Sequence, residues 1–431
     1  MIGISFNKKE FEYDAYTLVK AFYPKEDIEM YGTWEEEGPK DYEKLVSISY
    51  GDRVVIGVHT REHTLEDSAP YDEKEDRKKR KNTLKQILYK LLVQETGQTL
   101  PWGNLTGIRP VKIAMGLIEE GMTNAQAADF MRKTYFTSNE KTALAIAIAN
   151  RERDILKDID YKRGYSLYVG IPFCPSICLY CSFSSSPLEK WRDRVEDYLT
   201  ALLKELDFIS QAMKDRPLNT IYIGGGTPTT LEPDQLRRLL GYIQERFPVK
   251  DISEYTIEAG RPDSITREKL MAIREFPVTR ISVNPQTMNQ KTLEIIGRRH
   301  TVEDTVRAFE LARDCGFDNI NMDLIVGLPG EHKADVEHTL EEVKRLAPDS
   351  LTVHSLAVKR AARLNIFRDQ YQEMTFENNQ EIMDMAMKYA YEMGMGPYYL
   401  YRQKNMCGNL ENTGFAKVDK AGIYNILMME E

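Results

Sequence analysis

From Leu167 onward, short apolar runs alternate with longer amphipathic stretches. "SLYVGIPF", "TIYIGGG", "EYTIEAG", "RISVNPQ", "NINMDLIVGLPG" and "SLTVHSLAV" read as strands, each bounded by turn residues. Between them, stretches such as "RVEDYLTALLKELDFISQAM" and "TVEDTVRAFELARDCG" read as helices. Six strands spaced by helices predict an α/β fold with a parallel sheet, open or closed into a partial (β/α)6, TIM-like barrel. In such folds the active site forms at the C-terminal ends of the strands. The unusual residues gather there: a cysteine cluster, Gly224 to Gly226, Glu258, Gln286, Asp323 and His354.

Ahead of this series, residues 1–66 read as a small α/β domain. "IGISF" is a strand and "EFEYDAYTLVKAFY" a helix, and "LVSISY", "GD" and "RVVIGVH" form a hairpin. Residues 67–160 read as a linker and helical domain. Its first stretch, 67–81, is charged and structureless before a helix begins. That helix continues over 82–96 with Leu84, Ile87, Leu88, Leu91 and Leu92 on one face. Two alanine-rich helices follow, near 123–133 and 139–157, the second capped by Ser138. "DIDYKRGYS" marks the boundary to the strand–helix series, assigned to 161–370. The region 371–431 carries a helix near 376–393 and ends in "GIYNILMMEE", which reads as a strand stopping abruptly. The expectation is a chain truncated within its C-terminal region.

Charge narrows the classes of partner. With 58 Lys and Arg against 67 Asp and Glu, the 431-residue chain carries a formal charge of -9. General nucleic-acid or membrane-surface binding is not expected, and an anionic substrate must find a local basic site. The first residues show no basic stretch leading into an apolar one, and no apolar run is long enough to span a bilayer. A cytoplasmic location and a monomeric state are expected.

Three of the five cysteines fall within "FCPSICLYCSF". Cys174, Cys178 and Cys181 have the spacing C-x3-C-x2-C on a loop directly after a strand. Three thiolates on a tight loop can hold three irons of a four-iron cluster and leave the fourth open to a substrate. A structural zinc would want a fourth Cys or His at short spacing, and the nearest histidines are His63 and His300. Buried, unrelated cysteines are the other alternative.

The C-x3-C-x2-C loop after the first strand of a βα series resembles the signature of the radical S-adenosylmethionine (radical SAM) superfamily. "YVGIPFCPSICLYCSF", "YIGGGTPTTL", "YTIEAGRPDSI", "RISVNPQTMNQKTLEIIGRRH" and "NMDLIVGLPGE" together resemble its oxygen-independent coproporphyrinogen III oxidase group. "LTGIRP", "HSLAVKRAARL" and "YYLYRQKNMCGNLENTGFA" resemble the HemZ-type, coproporphyrinogen dehydrogenase branch of that group. The resemblance implies a radical SAM core with an N-terminal extension, a 4Fe-4S cluster on Cys174, Cys178 and Cys181, and one or two bound S-adenosylmethionine molecules. It implies a 5′-deoxyadenosyl radical that takes hydrogen from a propionate β-carbon. Loss of carbon dioxide and one electron then leaves a vinyl group, and two such events convert coproporphyrinogen III to protoporphyrinogen IX. Related outcomes within the resemblance are a haem chaperone and a methylating, ring-opening haem-degrading enzyme.

By the same resemblance, Gly224 to Pro228, with Gly225, Gly226 and Thr227, contact the amino group of the first S-adenosylmethionine. Tyr168 and Tyr180 lie near the two molecules, and Glu258 holds a ribose hydroxyl. Gln286, Arg298 and Asp323 bind the second molecule, and Ala357 offers a backbone contact. Taken alone, the glycines also read as a tight turn, the tyrosines as core aromatics and Glu258 as a surface or capping residue. Arg298 and Arg299, and Lys359, Arg360 and Arg363, could meet propionates through bidentate contacts, or simply form charged faces. "RKKRK", Arg77 to Lys81, could dock an acidic electron donor such as a flavodoxin or ferredoxin, or form a solvated face. Cys315 reads as a small buried hydrophobe, while Cys407 could lie near substrate. The oxidase of this group has a fourth cysteine two residues after the third. Phe183 stands there in this chain, and the haem-chaperone relative lacks that cysteine too.

Overall fold

The computed structural model describes residues 1–32, 42–371, 374–403, 406 and 410–430. The chain forms two compact units, Met1–Ile146 and Ala147–Glu431.

The first unit is built on a five-stranded sheet. β1 (Ile2–Phe6) is central and runs parallel to both β2 (Ile28–Gly32) and β3 (Lys44–Tyr50). β4 (Arg53–His59) and β5 (Thr64–Pro70) add on as antiparallel hairpins. The expected hairpin turns at Gly51–Asp52, with Tyr50 opposite Val54. β5 occupies the start of the stretch read as structureless. Its side chains are largely exposed, so an edge strand left no apolar pattern to find. Helices α1 (Glu12–Phe22) and α2 (Arg77–Thr96) cover the sheet. Asp76 caps α2 by accepting from the Lys79 amide, and Gly97, at φ 67°, ends it. Leu84, Ile87, Leu88, Leu91 and Leu92 are all buried, as their spacing predicted. α3 (Val111–Glu119) and α4 (Asn124–Tyr135) also belong to this unit, with a Thr123–Gln126 capping box at α4.

The second unit carries the strand–helix series. After α5 (Asn139–Leu156) come six strands: β6 (Tyr165–Ile171), β7 (Leu218–Gly225), β8 (Glu254–Gly260), β9 (Arg280–Val283), β10 (Ile320–Val326) and β11 (Ser350–Ser355). They pair in chain order, every pair parallel. Two further strands, β12 (Gly396–Tyr401) and β13 (Asn412–Ala416), extend the sheet antiparallel beyond β11. The result is a parallel sheet curled into a half-barrel. One face is apolar: Leu167, Val169, Ile221, Ile223, Ile257, Ile281, Met322, Leu324, Leu351 and Val353 pack beneath the connecting helices in one continuous core. On the other face the partly exposed positions recur at the strand period of two. They include Tyr168 on β6, Tyr222 on β7, Glu258 on β8, Asp323 on β10 and His354 on β11.

The segment "GIYNILMMEE" is a helix, α6 (Ile423–Glu430), and not the strand expected. Its start is held by a carboxylate 169 residues away: Glu254 Oε2 accepts from the amides of Ile423 and Tyr424. Negative charge at a helix N-terminus favours the helix. Ile426 and Leu427 bury against Tyr398, Tyr399 and Leu156.

Arg151 on α5 ties down the antiparallel end of the sheet. Its Nη1 donates to the carbonyls of Gly396 and Pro397 (2.5 and 3.3 Å), and its Nη2 to those of Ala416 and Lys417 (2.9 and 3.2 Å). Arg151→Met keeps the stem and removes all four donations. It should cost about 2 kcal/mol, seen as a lower urea midpoint and faster amide exchange in β12 and β13.

Candidate functional site

The cysteine loop leaves the C-terminal end of β6 and is stitched to its neighbours on two sides. On one side, the amides of Gly226 and Thr227 donate to the carbonyls of Ile171 and Phe173, at 2.7 and 2.8 Å. This works because Gly226 has no side chain: a Cβ there would sit 2.6 Å from the Phe173 oxygen. Gly225, at φ 104°, takes a conformation that favours glycine. Phe173–Cys174 also pair with Ser186–Pro187 where the loop returns. On the other side, the Leu179 amide donates to Ile296 (2.9 Å), and Ser176 Oγ donates to the Gly297 carbonyl (2.9 Å). The Leu364 amide in turn donates to Leu179 (2.9 Å), which joins the segment after β11 to the cysteine loop.

Cys174 and Cys178 are buried and Cys181 partly so. Thr227 Oγ1 donates to Cys174 Sγ at 3.7 Å. Burial pushes the Cys174 thiol up, against the Thr227 hydrogen bond, and charge on Cys178 and Cys181 pushes it further. Burial likewise raises Cys181. Such thiols ionise readily only when a cation takes their charge. Among the described residues, no three His, Cys, Asp or Glu groups form a site for a single ion. Three thiols on one tight loop suit a polynuclear iron–sulfur group, whose ligands bind different irons.

Below the glycines lies the polar face of the half-barrel. Glu258 rests against Gly224, where a Cβ would be 3.1 Å from its carboxylate. Tyr222 donates a short hydrogen bond to Glu258 Oε1. Tyr222 stacks on Tyr424 of α6 (ring centroids 4.4 Å), and Tyr168 stacks beside both, at 6.2 and 6.3 Å. Burial pushes the Glu258 carboxyl up to about 7 against the Tyr222 hydrogen bond, and the Asp323 charge adds to the rise. Burial raises Asp323 as well, but His354, Asn321 (bonded at 2.7 Å) and Thr352 together hold it below the usual carboxylate range. His354 Nε2 lies 3.9 Å from Asp323 Oδ2, and its Nδ1 lies 3.4 Å from Tyr401 Oη on β12.

Gln286 continues past β9 in a left-handed conformation, φ 69°. Its amide donates to the Asp323 carbonyl (3.0 Å) and its carbonyl accepts from Ile325 (2.9 Å). Its buried Oε1 has no partner. Arg298 is buried, donating to the Asn284 carbonyl (2.5 Å) and Tyr180 Oη (3.1 Å). Arg299 turns outward. Ala357 forms an isolated bridge with Met406 just after β11.

The expected residues thus fall into connected groups at the C-terminal ends of the strands: Cys174 with Thr227, Tyr168 with Gly225, Gln286 with Asp323, and Arg298 with Tyr180. The basic candidates differ among themselves. Lys359, Arg360 and Arg363 are exposed on the segment after β11. The "RKKRK" run opens α2, where Lys79 pairs with Glu75, Arg80 with Glu10 and Lys81 with Asp14. Cys315 packs at the edge of the main core. Cys407 lies outside the described residues. Several groups escaped sequence reasoning: Tyr222, Tyr401, Tyr424 and Arg261. Tyr222 was available from the strand period, two residues before Gly224. Tyr424 and Tyr401 reach the site only through the fold.

A family model for the radical SAM superfamily matches residues 168–343. The oxygen-independent coproporphyrinogen-III oxidase-like protein HemZ of Bacillus subtilis is 41% identical over 406 residues, which is 92% of this chain and 81% of that protein. The chain belongs to the HemZ group of the radical SAM superfamily. Radical SAM proteins use a 4Fe-4S cluster and S-adenosylmethionine. The haem chaperone HemW of Bacillus subtilis is 40% identical over 195 residues, covering 45% of this chain and 51% of the chaperone. The solved structure of the Escherichia coli coproporphyrinogen III oxidase HemN aligns at 26% identity and a TM-score of 0.48, over 59% of this chain and 56% of that one. The matches to HemW and HemN therefore span about half the length of each. No described helix of this HemZ-group chain is long and apolar enough to cross a membrane.

The Glu258 carboxyl supplies a test of the site's electrostatics. In the unfolded chain it ionises near pH 4.5, in the folded chain near 7, so its contribution to stability falls as pH rises between these values. Glu258→Gln should therefore melt at a higher temperature than the parent at pH 8, by as much as about 3 kcal/mol of stability, and melt with it at pH 4.5. A thermal-shift comparison at the two pH values checks this.

Proposed function

We propose that this chain is an oxygen-independent coproporphyrinogen III dehydrogenase that converts two propionates to vinyl groups, giving protoporphyrinogen IX. The observation that carries the reading is the stitching of the three-cysteine loop to the Gly224–Gly226 loop, directly above the polar face that bears Glu258 and Asp323. The relative named as coproporphyrinogen-III oxidase-like, matched along nearly all of this chain, supports the choice of substrate.

When bound, the cluster and S-adenosylmethionine supply a 5′-deoxyadenosyl radical able to take hydrogen from an unactivated carbon. Cys174, Cys178 and Cys181 hold the cluster. The backbone of Gly225, Gly226 and Thr227 lets a ligand approach closely, because no side chain stands in the way. Glu258, ionised above about pH 7, accepts hydrogen bonds from ribose hydroxyls. Gln286 offers an unpartnered oxygen, and Arg298 and Asp323 offer charge of both signs, to a second S-adenosylmethionine. Tyr168 and Tyr180 flank these positions, and Ala357 offers backbone. The exposed Lys359, Arg360 and Arg363 meet the substrate's carboxylates. Each propionate gives one hydrogen atom from its β-carbon to that radical, releases carbon dioxide and passes one electron to an external one-electron acceptor. The protein's part is to hold that carbon beside the radical and keep water away. A reduced flavodoxin or ferredoxin is the proposed source of the electron for the cluster.

A second reading, haem binding as a chaperone, draws on the HemW match and on Phe183, 72% exposed at the position of the oxidase's fourth cysteine. One anaerobic experiment separates the two. Reconstituted protein is given S-adenosylmethionine, reductant and coproporphyrinogen III, and products are followed by mass spectrometry. Loss of two carboxyl groups matched by 5′-deoxyadenosine is expected, with Cys178→Ala reducing both by at least about a hundredfold. Stoichiometric haem binding without turnover, from protein with an intact cluster, would replace the dehydrogenase with the chaperone.

A further inference from the structure

Directly after β8, Arg261 turns back under the cysteine loop. Arg261 is 4% exposed. Asp263 grips it by two bonds, Nε to Oδ1 at 2.9 Å and Nη2 to Oδ2 at 2.7 Å. That fork fixes the plane of the group and leaves Nη1 to point at the loop. Nη1 donates to the Ser176 carbonyl (3.0 Å), to Ser176 Oγ (2.8 Å) and to Cys178 Sγ (3.7 Å). Behind Asp263 stands His300, fully buried, with Nδ1 3.9 Å from Oδ1. Burial and the Arg298 charge push this imidazole down to about 4, so at neutral pH it carries no charge.

The three sulfurs are therefore not equivalent. Cys174 meets a neutral hydroxyl from Thr227, whereas Cys178 meets a buried guanidinium. A desolvated positive group acts strongly on a neighbouring thiolate, because little water screens it. Hydrogen bonds to ligand sulfurs are one of the levers a protein has on the reduction potential of an iron–sulfur cluster. An N–H donor at sulfur stabilises the reduced form more than the oxidised one, since the reduced form carries one more negative charge.

We propose that Arg261, oriented by Asp263, is a positioning residue that holds Cys178 in place and raises the reduction potential of the cluster. The proposal rests on the assignment of Cys174, Cys178 and Cys181 as cluster ligands. The step concerned is a one-electron reduction, the electron coming from an external donor such as a reduced ferredoxin or flavodoxin. A higher potential makes that transfer easier.

The test compares the full chain with Arg261→Lys and Arg261→Gln, each reconstituted anaerobically. Iron and sulfide per chain are measured first, then the potential, by titration with dithionite and mediator dyes followed by electron paramagnetic resonance. At the parent's midpoint, Arg261→Gln should show about a tenfold lower ratio of reduced to oxidised cluster, equivalent to 59 mV for one electron. Arg261→Lys, which keeps the charge and loses the fork, should fall between. Equal potentials at equal iron loading would overturn the proposal and leave Arg261 a structural residue. If Arg261→Gln assembles no cluster, Arg261→Lys decides the matter, and a parent-like midpoint overturns the proposal. A parent chain that takes up no iron and sulfide fails in a different way, at the cysteine assignment itself.

Discussion

The backbone approach at Gly226 is the one on which the rest of the site depends. Two loops, leaving the ends of β6 and β7, lie so near each other at Gly226 that a methyl group would strike the Phe173 oxygen. The contact is held by amide–carbonyl bonds rather than side chains, so it fixes position without supplying chemistry. Everything chemical is suspended from it. Cys174 follows Phe173, Thr227 follows Gly226, and Glu258 fits against Gly224 because that position too lacks a side chain. The fold delivers this approach through its topology: adjacent parallel strands end at the same level, so their following loops must meet.

Charge distribution follows a similar logic. The polar face of the half-barrel carries Glu258 and Asp323, two acids that would repel each other if both were ionised and unaided. Their environments separate them. Asp323 has Asn321 and His354 as partners and stays ionised, while Glu258 has Tyr222 as its donor and titrates near neutrality. Around the cysteine loop the balance is reversed, with Arg261, Arg298 and a neutral His300 packed beneath it. An acidic chain thus keeps a small region of positive potential where thiolates would need it.

The six-strand series was legible because parallel strands buried on one face and half-buried on the other give short apolar runs between glycines. The cysteines, glycines and Glu258 were legible because they stand at strand ends in a regular order. The misreadings share a cause. β5 is an edge strand with little apolar content, and α6 is a short helix whose cap, Glu254, comes from a distant strand. Tyr222 sat within reach of the period-two pattern, but nothing local marks Tyr401 or Tyr424 as neighbours of His354 and Tyr222. Arg261 drew no reading of its own inside "YTIEAGRPDSI". Its meaning appears only when the cysteine loop is folded over it.

The aromatic stack of Tyr168, Tyr222 and Tyr424 joins three parts of the chain that are far apart in time as well as in sequence. A ribosome releases the cysteine loop and both flanking strands long before it adds residue 424. Until then the polar face lacks the ring that packs on Tyr222, and Glu254 has no helix to cap. Contacts of such long sequence separation form late. The nascent chain therefore passes through a stage in which its three thiols are already made while the floor beneath them is still open to solvent.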